Sequence, residues 1–153
     1  MLEQRQIPLP LLPTRFLLTV EVVLYLALND KDRPVKLKEA ISAKSFSPRH
    51  LEPTIQHLVR LGILKSIKGA KGGYVLGRPS EAISLANLYS ASISRPARRF
   101  GVDETLPHQT VNLVLAEVQS KWTADLAKIS ILDLVVRSRL SPLIVVDQMN
   151  RHD

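Results

Sequence analysis

Apolar residues recur at steps of three and four along Phe16, Val20, Val23, Leu24 and Ala27, the spacing that gathers side chains on one face of a helix. Thr14 offers a cap at the start of that helix, and Asn29, Asp30 and the Arg33-Pro34 pair end it. A shorter stripe of Leu37, Ala40 and Ile41 predicts a second helix over 37–44, with Phe46 plugging the turn beyond it. Ser47-Pro48 then reopens a helix, because serine caps well and proline is tolerated at the first helical position. Leu51, Ile55 and Leu58 fall on its inner side and Gly62 closes it. Pro53 conflicts with this helix, since it removes a backbone hydrogen bond; either the helix kinks there or regular pairing settles after it.

After Gly62 the period shortens. Residues 63–67 and 74–76 read as two short strands. Between them runs Lys68-Gly69-Ala70-Lys71-Gly72-Gly73, a hairpin loop with glycines for uncommon backbone angles and two lysines at its tip. Residues 78–81 form a turn, and Ser84 caps a helix through residue 91. Residues 92–108 are polar, broken by Pro96, Gly101 and Pro107, and read as a surface loop. The longest helix follows over 108–128, and a last short one over 130–137.

That order of elements (helix, helix, strand, glycine loop, strand) builds a winged helix-turn-helix. The expected fold is mainly α with a small β-hairpin. Its parts are an extended arm over 1–13, a winged domain over 14–91, a loop over 92–108, dimerisation helices over 109–137 and a tail over 138–153. In the long helix Val111, Val114, Leu115, Val118, Trp122 and Leu126 make one apolar stripe. A stripe lying outside a small domain needs cover, either from that domain or from a second copy of the chain.

Composition narrows the partner. With 45% hydrophobic and 23% charged residues, the 153-residue chain can bury a core. Its net charge of +7 favours a polyanion. Aromatic residues at 5% argue against a base-stacking surface for single strands. The surplus is local: residues 31–80 hold eleven lysines and arginines against three acidic residues, so a polyanion should dock there. Cysteine is absent, which excludes disulfides, thiolate catalysis and cysteine-held zinc or iron–sulfur clusters. The apolar run over 16–28 is interrupted by Thr19 and Glu21 and falls short of the roughly 18 residues that span a membrane. Glu3, Pro8, Pro10 and Pro13 do not suit a signal peptide, so a cytoplasmic location without a membrane is expected.

A major groove about 12 Å wide admits one helix. The helix opened by Ser47-Pro48 buries its leucines and turns Arg49, His50, Gln56, His57 and Arg60 outward. Lys68, Gly69, Lys71 and Arg78 join them as candidate DNA contacts, reaching a neighbouring phosphate or the minor groove. Glu52 either accepts from a cytosine amino group, orients Arg49, or simply complements the helix dipole. His50 and His57 lie seven apart without a surrounding carboxylate cluster, so no metal is expected, and no cofactor motif is present.

The segments Ser47-Pro48-Arg49-His50-Leu51-Glu52-Pro53, Leu58-Val59-Arg60-Leu61-Gly62-Ile63-Leu64-Lys65-Ser66 and Lys68-Gly69-Ala70-Lys71-Gly72-Gly73-Tyr74-Val75-Leu76 resemble the bacterial winged-helix repressors. That family includes the iron–sulfur-cluster regulator, the nitric-oxide-sensing repressor and the cysteine-metabolism repressor. Arg15-Phe16-Leu17-Leu18-Thr19-Val20-Glu21 and Ile83-Ser84-Leu85 match as well. The resemblance implies a homodimer on a near-palindromic operator, with the long helix crossing its twin. It also implies Arg49, His50 and Glu52 at base edges and Lys68 in the minor groove. Three departures stand out. The cluster cysteines expected in the loop over 92–108 are absent, Lys68 and Ala70 replace the usual Arg and Pro of the wing, and Ser45 replaces a turn glycine.

Two other functions compete. A winged helix can serve as an interaction module, which the positive segment allows only with an acidic partner. An enzyme would need paired carboxylates, an activated nucleophile or a cofactor loop, none of which the sequence offers. The signal sensed is not legible in the residues, so the effector stays open.

Overall fold

The computed structural model describes residues 12–29, 33–41, 47–93 and 106–140. The expectations for the arm over 1–11, for Lys44, Ser45 and Phe46, for the loop over 94–105 and for the tail over 141–153 lie outside the described residues. The architecture is mainly α with one antiparallel hairpin, as the hydrophobic periods indicate. Helix α1 is Thr14–Leu28, α2 Leu37–Ala40, α3 Glu52–Arg60, α4 Leu85–Ile93, α5 Leu106–Ala127 and α6 Ile131–Leu140; strands β1 and β2 are Leu64–Ile67 and Gly73–Leu76.

Several expected boundaries shift, each for a local reason. Thr14 does not cap α1. Pro13 does: its carbonyl accepts from the N–H groups of Phe16 at 2.9 Å and Leu17 at 3.2 Å, and Thr14 is already helical. Ser47 makes no side-chain cap bond; Pro48–His50 is a 3-10 turn, and α3 begins only at Glu52. That offset removes the Pro53 conflict, because the first helical turn has no intrahelical acceptor for its N–H and proline there loses nothing. Helices also reach into both ends of the span read as loop, α4 to Ile93 and α5 from Leu106.

Two serines expected near helix starts do cap. The N–H of Asn87 donates to Ser84 Oγ at 3.2 Å while the N–H of Ser84 donates to Asn87 Oδ1 at 3.0 Å, a reciprocal box that opens α4. Ser130 and Asp133 make the same exchange before α6.

The core gathers Phe16, Val22 and Val23 of α1, Leu51, Ile55 and Leu58 around α3, and Ile63, Leu64, Ile83, Leu88 and Ile131. Buried Thr19 satisfies its hydroxyl by donating to the Arg15 carbonyl one turn back, at 2.7 Å. The junction between α5 and α6 is stitched to the segment before α4: Leu85 N–H donates to the Ile129 carbonyl at 2.9 Å and Ile131 N–H to the Ile83 carbonyl at 2.8 Å. Edge-to-face contacts run from Phe16 to Tyr89 at 5.4 Å and from Tyr89 to Trp122 at 6.4 Å between ring centroids, tying α1, α4 and α5 together.

Candidate nucleic-acid interface

The sequence around α3 sorts its residues by face. Leu51, Thr54, Ile55 and Leu58 are buried, while Ser47, Arg49, His50, Glu52, Gln56 and Arg60 are exposed and Pro48 and His57 half-exposed. Residues at steps of three and four share a helix face, so burying one set turns the other to solvent. Arg60 Nη2 lies 3.3 Å from His57 Nδ1, which groups the two at the far end of the exposed face.

A closing motif at the end of α3 sets the hairpin against it. Ile63 N–H donates back to the Leu58 carbonyl and Gly62 N–H to the Val59 carbonyl, both at 3.0 Å, with Gly62 at φ 69°. This Schellman pattern needs a left-handed residue, which glycine adopts without a Cβ clash. The chain then enters β1, whose Leu64, Lys65, Ser66 and Ile67 pair with Leu76, Val75, Tyr74 and Gly73. On the other side of the hairpin, Tyr74 exchanges backbone bonds with Val35 at 2.8 and 3.0 Å, so the segment before α2 also braces the wing. Lys68, Gly69 and Lys71 occupy the exposed hairpin tip, with Gly69 at φ 112°.

The expected contact residues thus fall in the turn ahead of α3, on the exposed side of α3 and at the hairpin tip, with one exception in place and role. Arg78 follows β2 and points its guanidinium back at α3: Nε donates to the Gly62 carbonyl at 3.3 Å, and Nη2 to the Leu61 carbonyl. It fastens the end of α3 to the chain leaving the wing, so expecting it simply as a DNA contact misses what it does within the fold. Tyr74 was not singled out from the sequence. Its hydroxyl accepts from Gln56 Nε2 at 3.3 Å and joins the exposed face of α3 to the wing. The partners are eighteen residues apart, so no local pattern announces the pair.

The long helix divides in two. Every described side chain from Gln109 to Lys121 is exposed, Val111, Val114, Leu115 and Val118 included. Trp122 is 38% exposed and packs in part on Tyr89. Leu126 corrects its place in the expected partner-facing stripe: at 6% exposure it belongs to the chain's own core, because the last turn of α5 lies where the α5–α6 junction is pinned before α4. Leu113, not counted in the stripe, is the most exposed apolar residue between Gln109 and Lys121.

Residues 12–137 match the family described as Rrf2, iron-dependent transcriptional regulator. The chain belongs to the Rrf2 family. It is 34% identical to YwgB of Bacillus subtilis over 92 residues, 56% of this chain and 59% of that one, and 28% identical to slr0846 of Synechocystis over 131 residues, 84% and 89%. Both relatives carry provisional names as HTH-type transcriptional regulators. The first of these alignments spans less than two thirds of the relative's length. Among solved structures, T. potens IscR superposes with a TM-score of 0.63 at 24% identity, covering 83% of this chain and 87% of that one, which places the fold. The Rrf2 assignment makes this chain a regulator by family and not an enzyme.

The Rrf2 description names iron, but among the described residues the donor set does not fit an iron site. The sequence supplies no thiolate. Among the described residues no group of three or more His, Cys, Asp or Glu side chains converges. Among those residues, too, no helix is long and apolar enough to cross a membrane.

Proposed function

We propose that this Rrf2 protein binds duplex DNA as a homodimer, the start of α3 entering the major groove and the lysine-bearing wing resting at the minor groove. The observation that carries the reading is the exposed side of the Pro48–His50 turn and of α3, with Arg49, Gln56 and Arg60 turned out over a buried Leu51, Ile55 and Leu58. In this reading Arg49, His50 and Glu52 meet base edges, and Ser47, Pro48, Gln56, His57 and Arg60 line the groove and its backbone. Lys68 and Lys71 add phosphate or minor-groove contacts, with Gly69 keeping the tip narrow. Arg78 holds α3 in place, its remaining donors free to meet a phosphate. Val111, Val114, Leu115, Val118 and the open side of Trp122 form the face a second copy covers.

Duplexes selected from a random pool by the purified protein provide the test. Affinity for a selected duplex, read by fluorescence anisotropy, should fall steeply with salt as about 0.9 counterions leave per phosphate contacted. Binding that ignores salt, or the selection of no sequence at all, overturns the reading.

A further inference from the structure

A cavity of about 470 Å³ opens between the end of α1, strand β2 and the turn after it. That size lies within the roughly 300–1,000 Å³ of ordinary small-molecule sites. Leu26 and Ala27 line it from α1, and Val75 and Leu76 from β2. Among the described residues, its charged lining is Arg33, Arg78 and Glu81, two basic residues and one acidic. Glu39 faces Arg33 at 3.4 Å, but both side chains are largely in solvent, so the pair holds weakly and a bound anion could replace it.

Arg78 gives this cavity a connection to the rest of the molecule. Arg78, one of the residues that line the cavity, also donates through its side chain to the Leu61 and Gly62 carbonyls at the end of α3. A guanidinium prefers a charged, planar carboxylate to neutral carbonyls and can meet it with two parallel bonds. We propose that the cavity is an effector site for a small carboxylate with an apolar body. The carboxylate would pair with Arg33 and Arg78, the body would lie against Leu26, Ala27 and Leu76, and the ligand's hold on Arg78 would loosen the end of α3. Glu81 in the lining disfavours a dianion such as a phosphate monoester. The ligand-binding half stands without DNA; the regulatory half rests on α3 being the recognition helix.

Phenylacetate serves as the probe and 2-phenylethanol as its uncharged counterpart. Calorimetric titration of the full chain should give a dissociation constant on the order of 1 mM or tighter for phenylacetate. The alcohol should give no heat, and Arg33→Gln should bind the acid at least about fivefold more weakly. Arg33 is exposed and outside the core, so this variant is expected to fold. Saturating phenylacetate should also weaken binding to a selected duplex by about fivefold or more. No binding at millimolar concentration, or equal binding of acid and alcohol or of parent and Arg33→Gln, overturns the site. Binding with unchanged duplex affinity overturns the coupling through Arg78. Failure of the chain to bind any duplex would sink the function proposed above, while the titration without DNA would still decide the site.

Discussion

The winged part of the chain and the long helix α5 treat their apolar residues in opposite ways. In residues 47–93 the large aliphatic side chains Leu51, Ile55, Leu58, Ile63, Leu64, Ile83 and Leu88 are buried. In α5 the valines and leucines between Val111 and Val118 lie in solvent, and among its described side chains only Leu126 reaches the core. The first region has closed on itself and spends its exposed face on charge. The second has not closed, and at about 25 cal/mol per Å² of apolar surface its exposed row is a standing drive toward a partner surface. Stability and assembly should therefore answer to different residues.

The sharpest way to break that contrast is to cut the same kind of side chain in both regions. Leu58→Ala empties a fully buried site and should cost about 2–5 kcal/mol of unfolding free energy in a denaturant titration. Val114→Ala, in dilute protein where association is negligible, should cost no more than about 0.5 kcal/mol. Similar losses at the two sites would erase the distinction.

Next in size is a charge placed on the open row. The Val114→Glu, Val118→Glu double variant should sediment as a monomer with unchanged helical content by circular dichroism. Its affinity for a selected duplex should drop by at least about tenfold, roughly 1.4 kcal/mol, because two half-sites can no longer be held together. A variant that still sediments as the parent does would move the interface away from α5.

What could be read from the residues divides along the same line. The winged region was legible because its signals are local: the α1 and α3 stripes, the glycine hairpin, the serine at 84. Pro53 looked like a conflict because residue spacing could not show that a 3-10 turn over Pro48–His50 delays α3 until Glu52. Thr14 was mistaken for a cap because the carbonyl of Pro13 does that work, and proline advertises no capping side chain. Arg78 and Tyr74 act on α3 across sixteen to eighteen residues, and no periodicity encodes such pairs. For α5 the stripe of threes and fours picked out Val111, Val114, Leu115 and Val118, all exposed, but left out Leu113 and could not show what lies against them. Leu126 shares the pattern with Val118 and yet sits in the core, a difference set by the junction after α5.

Within the winged region, the wing and the recognition helix should part company in a milder pair of changes. The Lys68→Ala, Lys71→Ala variant should weaken binding on most duplexes and flatten the slope of log affinity against log salt by about 2. Arg49→Ala should instead blur preference at particular base positions, with a loss of about 1–3 kcal/mol confined to those bases. If both variants select the parent's duplex with the parent's affinity and salt slope, the division of labour between helix and wing is wrong.

The smallest effect tests the seam where the two regions meet. The backbone N–H of Ser130 donates to Asp133 Oδ2 at 2.8 Å and its hydroxyl to the same oxygen at 2.7 Å. These bonds, the backbone one foremost, hold the Asp133 carboxyl below its ordinary 3.8, with desolvation opposing them and Arg137 adding the smallest pull. A carboxyl depressed in the folded state stabilises it above its unfolded value, and that contribution fades as pH falls through the lower folded one. The thermal midpoint of Asp133→Asn should therefore lie slightly below the parent's at neutral pH, and the gap should narrow as pH drops below 3.8. Because the cap closes the first turn of α6 and touches nothing on the open row of α5, sedimentation of this variant should match the parent's throughout. A gap that widens in acid would reverse the sign argued for Asp133, and a change in association state would show that the seam and the open row are not independent.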